Sequence, residues 1–192
     1  MNEDRRAERE ALEIRSAGPD DAGTIADIHI ATWRAAYAHV FGEAALASVD
    51  PEQRERSWRT LLAGARPPRR VLVAGPAGAP PVGFAAWSPT RDPDGDTATT
   101  AELCAIYVLP SAWGTGVGRL LMDRGVALAR RDGFLRATLW VLADNPRAQA
   151  FYRRSGWRPD GADRTERVLG VTVGELRYAT ELLTAPTSHD VQ

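Results

Sequence analysis

The chain is poor in the residues that build metal centres and disulfides. Cys104 is its only cysteine, which excludes an intrachain disulfide and any cysteine-based zinc site, and its three histidines show no ligand spacing. No metal is therefore expected. Excess charge of either sign is also missing: 24 Lys plus Arg nearly cancel 25 Asp plus Glu. No overall field draws the chain to nucleic acid or an anionic membrane, which favours a small-molecule or peptide partner. Long hydrophobic runs are absent too, and Met1 to Glu10 is a run of charge without the apolar centre of a signal peptide. A reducing cytosol is the expected compartment.

What is present reads as one domain. The length is 192 residues, with 44% hydrophobic and 26% charged residues, the balance of an ordinary globular protein. Residues 1–11 and 184–192 are polar and aperiodic and are expected to be disordered tails around a single domain at 12–183.

Within that domain Leu12-Glu-Ile-Arg-Ser alternates like a short strand. Pro19-Asp-Asp then opens a helical pattern in which Ile25, Ile28, Ala31 and Ala35 repeat. Asp50-Pro51-Glu52 caps a second helix reaching about Ala63. Val71 to Ala74 and Val82 to Trp87 read as a hairpin around a Gly/Pro-rich turn. A strand from Thr99 to Leu109, a helix from about Gly116 to Arg131, a strand from Arg136 to Leu142 and a helix from Pro146 to Ser155 follow. Arg167 to Leu169 and Glu175 to Thr180 are expected to finish the sheet as two antiparallel strands. This order is a mixed αβ arrangement, which fits a doubly wound sheet poorly.

One loop carries ligand chemistry. The buried strand Ala101 to Leu109 stops at Pro110 and runs into Ser-Ala-Trp-Gly-Thr-Gly-Val-Gly-Arg. Gly114, Gly116 and Gly118 let the backbone curl around a ligand, and the next helix aims its free N–H groups and positive dipole end at the same place. The result is an anion cradle. It is not a P-loop, because no Lys-Ser/Thr follows the glycines, and Arg119 stands where a dinucleotide fingerprint needs its third spaced glycine.

Tyr107-Val-Leu-Pro110, the loop Gly114 to Arg119, and Asn145-Pro-Arg-Ala-Gln-Ala-Phe-Tyr-Arg-Arg-Ser-Gly-Trp157 stand in an order that resembles the GNAT superfamily of acyl-CoA-dependent N-acyltransferases. The resemblance spans Leu12 to Leu183. It implies an α+β fold whose central, mostly antiparallel sheet is splayed between its two central strands and flanked by helices. It implies acetyl-CoA as the acyl donor, with backbone groups of Ile106, Tyr107 and Val108 on the pantetheine arm. Amides of Gly114, Thr115, Gly116, Val117, Gly118 and Arg119 would hold the pyrophosphate, with Asn145 capping a helix and touching the cofactor. Trp113 departs from the pattern, since the family usually carries Arg or Gln there; it either weakens a phosphate contact or packs on the cofactor. The family often forms dimers, so a homodimer is a further expectation.

Direct transfer to an amine needs a route for the ammonium proton, polarisation of the thioester and an acid for the thiolate. Strand alternation puts Glu102 on the side of Cys104, Ile106 and Val108, and it is assigned as base acting through water, with Asp94, Asp96 and water alone as alternatives. The resemblance places the Tyr152 hydroxyl beside the sulfur, as acid. Cys104 has no histidine nearby in sequence to activate it as a nucleophile. Trp33 and Tyr37, on or just after the first helix, and Trp87, at the end of a central strand, are candidate acceptor contacts. The expected reaction is acetylation of a primary amine on a small molecule. A protein N-terminal or lysine acetyltransferase and a non-catalytic acyl-CoA sensor are the rival readings.

Overall fold

The computed structural model describes residues 12–182, so the expected tails at 1–11 and 184–192, and Leu183, lie outside the described residues. The strands are β1 (Leu12–Ser16), β2 (Arg70–Pro76), β3 (Gly83–Pro89), β4 (Thr100–Val108), β5 (Arg136–Leu142), β6 (Arg158–Val168) and β7 (Val171–Glu181). The helices are α1 (Ala22–Phe41), α2 (Glu43–Ala47), α3 (Pro51–Gly64), α4 (Val117–Arg131) and α5 (Pro146–Arg154). The helix caps follow the sequence signals. The Asp50 carboxylate accepts from the amides of Glu52 and Gln53 at α3, and the Asn145 side chain accepts from the Ala148 amide at α5.

Three expectations shift. Pro19–Asp21 is a separate 3-10 turn before α1, with the Asp21 carboxylate taking the Gly18 amide at 2.8 Å and the Arg15 guanidinium at 2.7 Å. The buried residues of α1 are Ala22, Ile25, Ala26, Ile28, His29, Ile30, Thr32 and Phe41, while Ala35 is exposed, because past Thr32 the helix packs less deeply and walls a cleft. The last hairpin is much longer than its apolar residues announce. β6 is an edge strand, exposed along most of its length, and shows no hydrophobic alternation. Leu169 (φ 50°) and Gly170 (φ 80°) close that hairpin with positive φ at both turn positions, the twist that matches paired strands.

The sheet order is β1-β2-β3-β4-β5-β7-β6. Neighbours run antiparallel except β4 and β5, whose parallel pairing stops after Thr100 with Arg136, Ala101 with Ala137 and Glu102 with Thr138. β4 then stays with β3 as far as Val108, and β5 stays with β7 as far as Leu142. From Leu103 onward their facing edges separate, opening a wedge in the middle of the sheet.

A bulge sits at the start of that wedge. Trp87 pairs with Leu103 and Ala86 with Ala105, so Cys104 is an extra residue in β4. An extra residue reverses the alternation downstream of it. Leu103, Ile106 and Val108 accordingly join the core under α4 and α5, while Ala105 and Tyr107 join the core under α1 and α3. Glu102 thus shares a face with Ala105 and Tyr107, correcting the expectation that it faces the same way as Ile106 and Val108.

Trp87 also lies away from the cleft. It is 5% exposed, in the core under α4, beside Trp157. Gly125 of α4 rides directly over its indole, and a Cβ there would collide with the ring. The ring is enclosed and cannot step aside, so Gly125→Ala is expected to destabilise the fold by about 2 kcal/mol despite the better helix propensity of alanine, read as a drop in Tm.

His29 is the buried titratable group of the other core. It stacks on Tyr107 at 4.8 Å, and its Nδ1 accepts from Trp58 Nε1 at 3.4 Å. Burial, aided by the Arg54 charge, lowers its pKa from 6.5 to about 3. The unfolded chain therefore binds the extra proton between those values, and stability is full above pH 6.5 and falls as pH drops toward 3. The expected loss by pH 4 is roughly 3 kcal/mol more in the wild type than in His29→Gln, measured as urea midpoints for both proteins across the range.

Candidate active site

A cavity of about 570 Å³ opens into the wedge between β4 and β5. One end is built by the glycine loop and α5, the other by α1, Trp140 of β5 and the β6–β7 hairpin.

At the first end the geometry is that of an anion and amide receptor. Gly114 (φ 81°) and Gly116 (φ 100°) take backbone conformations that disfavour any side chain, and Gly116 precedes α4 with no side-chain cap, leaving the first amides of the helix for a ligand. Thr115, expected to hold phosphate, instead turns both its amide (3.4 Å) and its hydroxyl (2.8 Å) to the Ala112 carbonyl, and the Val117 side chain is 1% exposed in the core, so Val117 can offer only its backbone amide. Arg119 lines the cavity and pairs with Asp123 at 2.7 Å. On β4, the Leu109 amide donates to Val82, so the strand's alternation turns the polar groups of Tyr107 toward β3 and those of Ile106 and Val108 toward the wedge. Tyr107 contributes no backbone group to the cleft, a correction to the expected trio. The Val108 carbonyl is also taken, accepting from Trp113 Nε1 at 2.7 Å and from the Thr32 hydroxyl at 3.1 Å. Ile106 and the Val108 N–H remain for an extended amide chain.

Trp113 has a structural use that its sequence position hides. With its indole N–H tied to β4, its ring carries the Arg147 guanidinium 3.4 Å from the centroid. A cation from the first turn of α5 thus stands beside the glycine loop, where the family pattern puts Arg or Gln at residue 113. Sequence reading missed Arg147 because the stack forms only when α5 docks next to the loop.

Tyr152 is 8% exposed and borders the cavity. Burial pushes its phenol well above the ordinary tyrosine value, with Tyr107 adding to the shift, so it is protonated throughout the neutral range. Asn145, besides capping α5, donates to the Tyr37 hydroxyl at 3.4 Å and so joins the two ends of the cleft. Trp33, Tyr37 and Phe41 form an aromatic row along α1, with Trp33 stacked on Phe41 at 5.7 Å, and all three border the cavity.

Glu102 also borders the cavity, 3% exposed. Its Oε1 accepts from Arg91 Nη2 at 2.6 Å, and its Oε2 accepts from the Arg91 backbone N–H at 3.1 Å and from Nε at 3.2 Å. That carboxylate holds the Arg91 guanidinium well above its ordinary value. Asp94 and Asp96 stand elsewhere: Asp94 forks with Arg177 at 2.7 Å, and Asp96 caps the Ala98 amide at 2.8 Å. Neither lines the cavity. The Cys104 thiol does, 3.2 Å from the Ser88 hydroxyl; burial pushes it up and the Glu102 charge adds to the effect, against thiolate formation. Among the described residues, no group of His, Cys, Asp and Glu is arranged to hold a metal ion, and no helix is long and apolar enough to cross a membrane.

Among the described residues, a mostly antiparallel sheet is split at its one parallel pair and faced by an uncapped glycine-rich helix start, a shape that suits an extended amide chain ending in phosphates. The arrangement is that of an acyl-CoA-dependent transferase. The model of the Acetyltransferase (GNAT) family matches residues 28–157, and the chain belongs to that family. It is an acyltransferase, and acetyl-CoA is its acyl donor. The uncharacterized N-acetyltransferase YuaI of Bacillus subtilis is 29% identical over 133 residues, covering 69% of this chain and 73% of that one. A mycothiol acetyltransferase of Beutenbergia cavernae is 42% identical over 62 residues, only 32% of this chain and 21% of that protein. The structure of yncA from Salmonella typhimurium with its cofactor acetyl-CoA shares the fold, with a TM-score of 0.66 and 24% identity over 93% of this chain and 99% of that one.

Proposed function

We propose that the protein acetylates a primary amine on a small molecule by direct transfer. The observation that carries this reading is the single cavity that joins the wedge and glycine loop to Tyr152, Glu102 and an aromatic acceptor end. That end has walls on both sides, α1 opposite the β6–β7 hairpin, which suits a compact amine better than a peptide backbone lying in an open groove.

The fit to acetyl-CoA is supported by the free edge of β4 and the uncapped start of α4. Ile106 and the Val108 N–H would pair with the pantetheine amides, and the free amides of Gly114 and of Gly116 to Arg119, with Arg147 above Trp113, would hold the phosphates. The co-substrate supplies an activated acetyl group. Glu102 takes the proton of the acceptor ammonium through water. The amine nitrogen then bonds to the acetyl carbon as the carbon–sulfur bond breaks, and Tyr152 passes its proton to the sulfur. The nitrogen sheds its second proton on becoming an amide, which returns Tyr152 to its neutral form through water, and Glu102 releases its own proton to solvent.

Thiol release from acetyl-CoA across a panel of primary amines tests the reading. Small amines are expected to give saturable turnover, and Cys104→Ala to retain it. Turnover with peptides alone, or loss of turnover in Cys104→Ala, contradicts the small-molecule and direct-transfer parts respectively.

A further inference from the structure

We infer that the acceptor carries an anionic group beside its amine, and that this group opens the base site by drawing Arg91 off Glu102; the inference rests on the direct-transfer reading above. In the structure as it stands, both Glu102 oxygens are occupied by Arg91. The two partners differ in setting: the Glu102 side chain is 4% exposed and the Arg91 side chain 68%. The group covering the base is thus the solvated one, and an ion pair whose cation stands in water exchanges partners readily.

Two arginines at this end of the cleft keep a guanidinium nitrogen free. Arg91 uses Nε and Nη2 on Glu102, and its Nη1 has no partner among the described residues. On the β6–β7 hairpin, lining the same cavity, Arg164 sits 4.2 Å from the Trp140 ring centroid and places Nε and Nη2 on Glu175, each at 2.7 Å, with Glu166 3.7 Å from Nε, leaving its Nη1 without a partner among the described residues. Arg177, 5.6 Å from the same ring, is the contrast: its Nε, Nη1 and Nη2 all serve Asp160, Asp92 and Asp94. Trp140 is fixed between these groups by its Nε1, which donates to Asp92 at 2.9 Å.

This pattern selects among amines. A second cation on the acceptor meets carboxylates that an arginine already neutralises. A carboxylate or phosphonate meets the free guanidinium edge of Arg91, the donor geometry that suits it, with Arg164 lining the same cavity. When that anion engages Arg91, the Glu102 oxygens are released to the ammonium of the same molecule. An amine without an anion leaves Arg91 on the base.

The test uses matched acceptors: an α-amino acid, its methyl ester, and the amine lacking the carboxylate, with rates compared per unprotonated amine because the three ammonium groups titrate differently. The wild type is expected to favour the carboxylate-bearing member at least about tenfold in kcat/KM, the size of one charge-assisted contact. Arg91→Ala is expected to reduce that preference below about twofold, and Arg91→Lys, which keeps the cation but not the fork, to hold an intermediate value. Equal use of the ester or the plain amine by the wild type overturns the inference while acyl transfer stands. A preference that survives Arg91→Ala overturns the part assigned to Arg91. No thiol release from any member, with acetyl-CoA binding intact by calorimetry, overturns both this inference and the reading beneath it.

Discussion

Tyr152→Phe is expected to lower kcat about 100-fold while acetyl-CoA affinity stays within about twofold. The ring is packed against Phe151 and Tyr178, at 5.4 and 6.2 Å between centroids, and those contacts survive the substitution. The lost hydroxyl makes no hydrogen bond among the described residues, so neither the fold nor the cofactor site depends on it for structure. Its high proton affinity is no obstacle to the acid role. The same desolvation that raises the phenol also raises a thiolate formed beside it, so the mismatch between donor and acceptor is smaller than in water. Steady-state thiol release and calorimetric titration with CoA separate the two quantities. Turnover within threefold of wild type would remove Tyr152 from the chemistry, and equal losses in binding and turnover would make it a packing residue.

Glu102→Gln is expected to lower kcat/KM for the acceptor by about 100-fold, the usual range for a lost general base, with KM for acetyl-CoA unchanged. The substitution keeps the shape and an acceptor oxygen for Arg91, but it cannot take a proton. Arg91 loses a carboxylate that fixes it through three hydrogen bonds, so a modest drop in Tm accompanies the kinetic loss. Small exogenous bases that fit the cleft are expected to restore part of the rate. A loss below about fivefold, with no rescue, would leave solvent water as the proton acceptor and remove Glu102 from the base role.

The parts of this site that could be read from the chain are those governed by neighbours in sequence. Asn145-Pro146 starts a helix because an amide oxygen and a fixed φ suit that end, and Tyr152 follows seven residues later on the same helix. Gly114 and Gly116 mark a loop needing positive φ, and the apolar face of α4 behind them says that the loop is anchored. One long-range pair was also within reach. Arg164 and Glu175 lie five residues on either side of the Leu169-Gly170 turn and face each other in register. The shortness of the apolar signal in that hairpin hid it.

The orientation of Glu102 could not be read, because the alternation rule holds only for an unbroken strand and the Cys104 bulge appears only when β4 is laid against β3. Trp87 failed as a pocket residue for a related reason. Which face of β3 receives α4 is settled by the close approach that Gly125 allows, two elements away.

The sequence by itself determined the order of strands and main helices, the glycine-rich turn ahead of α4 and the helix start at Asn145 that carries Tyr152, since propensity, capping and turn chemistry act over a few residues. Only the tertiary structure decided the wedge between β4 and β5, the ion pair of Arg91 with Glu102, the Arg147 stack on Trp113 and the arginines that line the far end of the cavity. Each of these joins residues whose meeting depends on strand register and helix docking, which follow from burial of the whole core rather than from any local pattern.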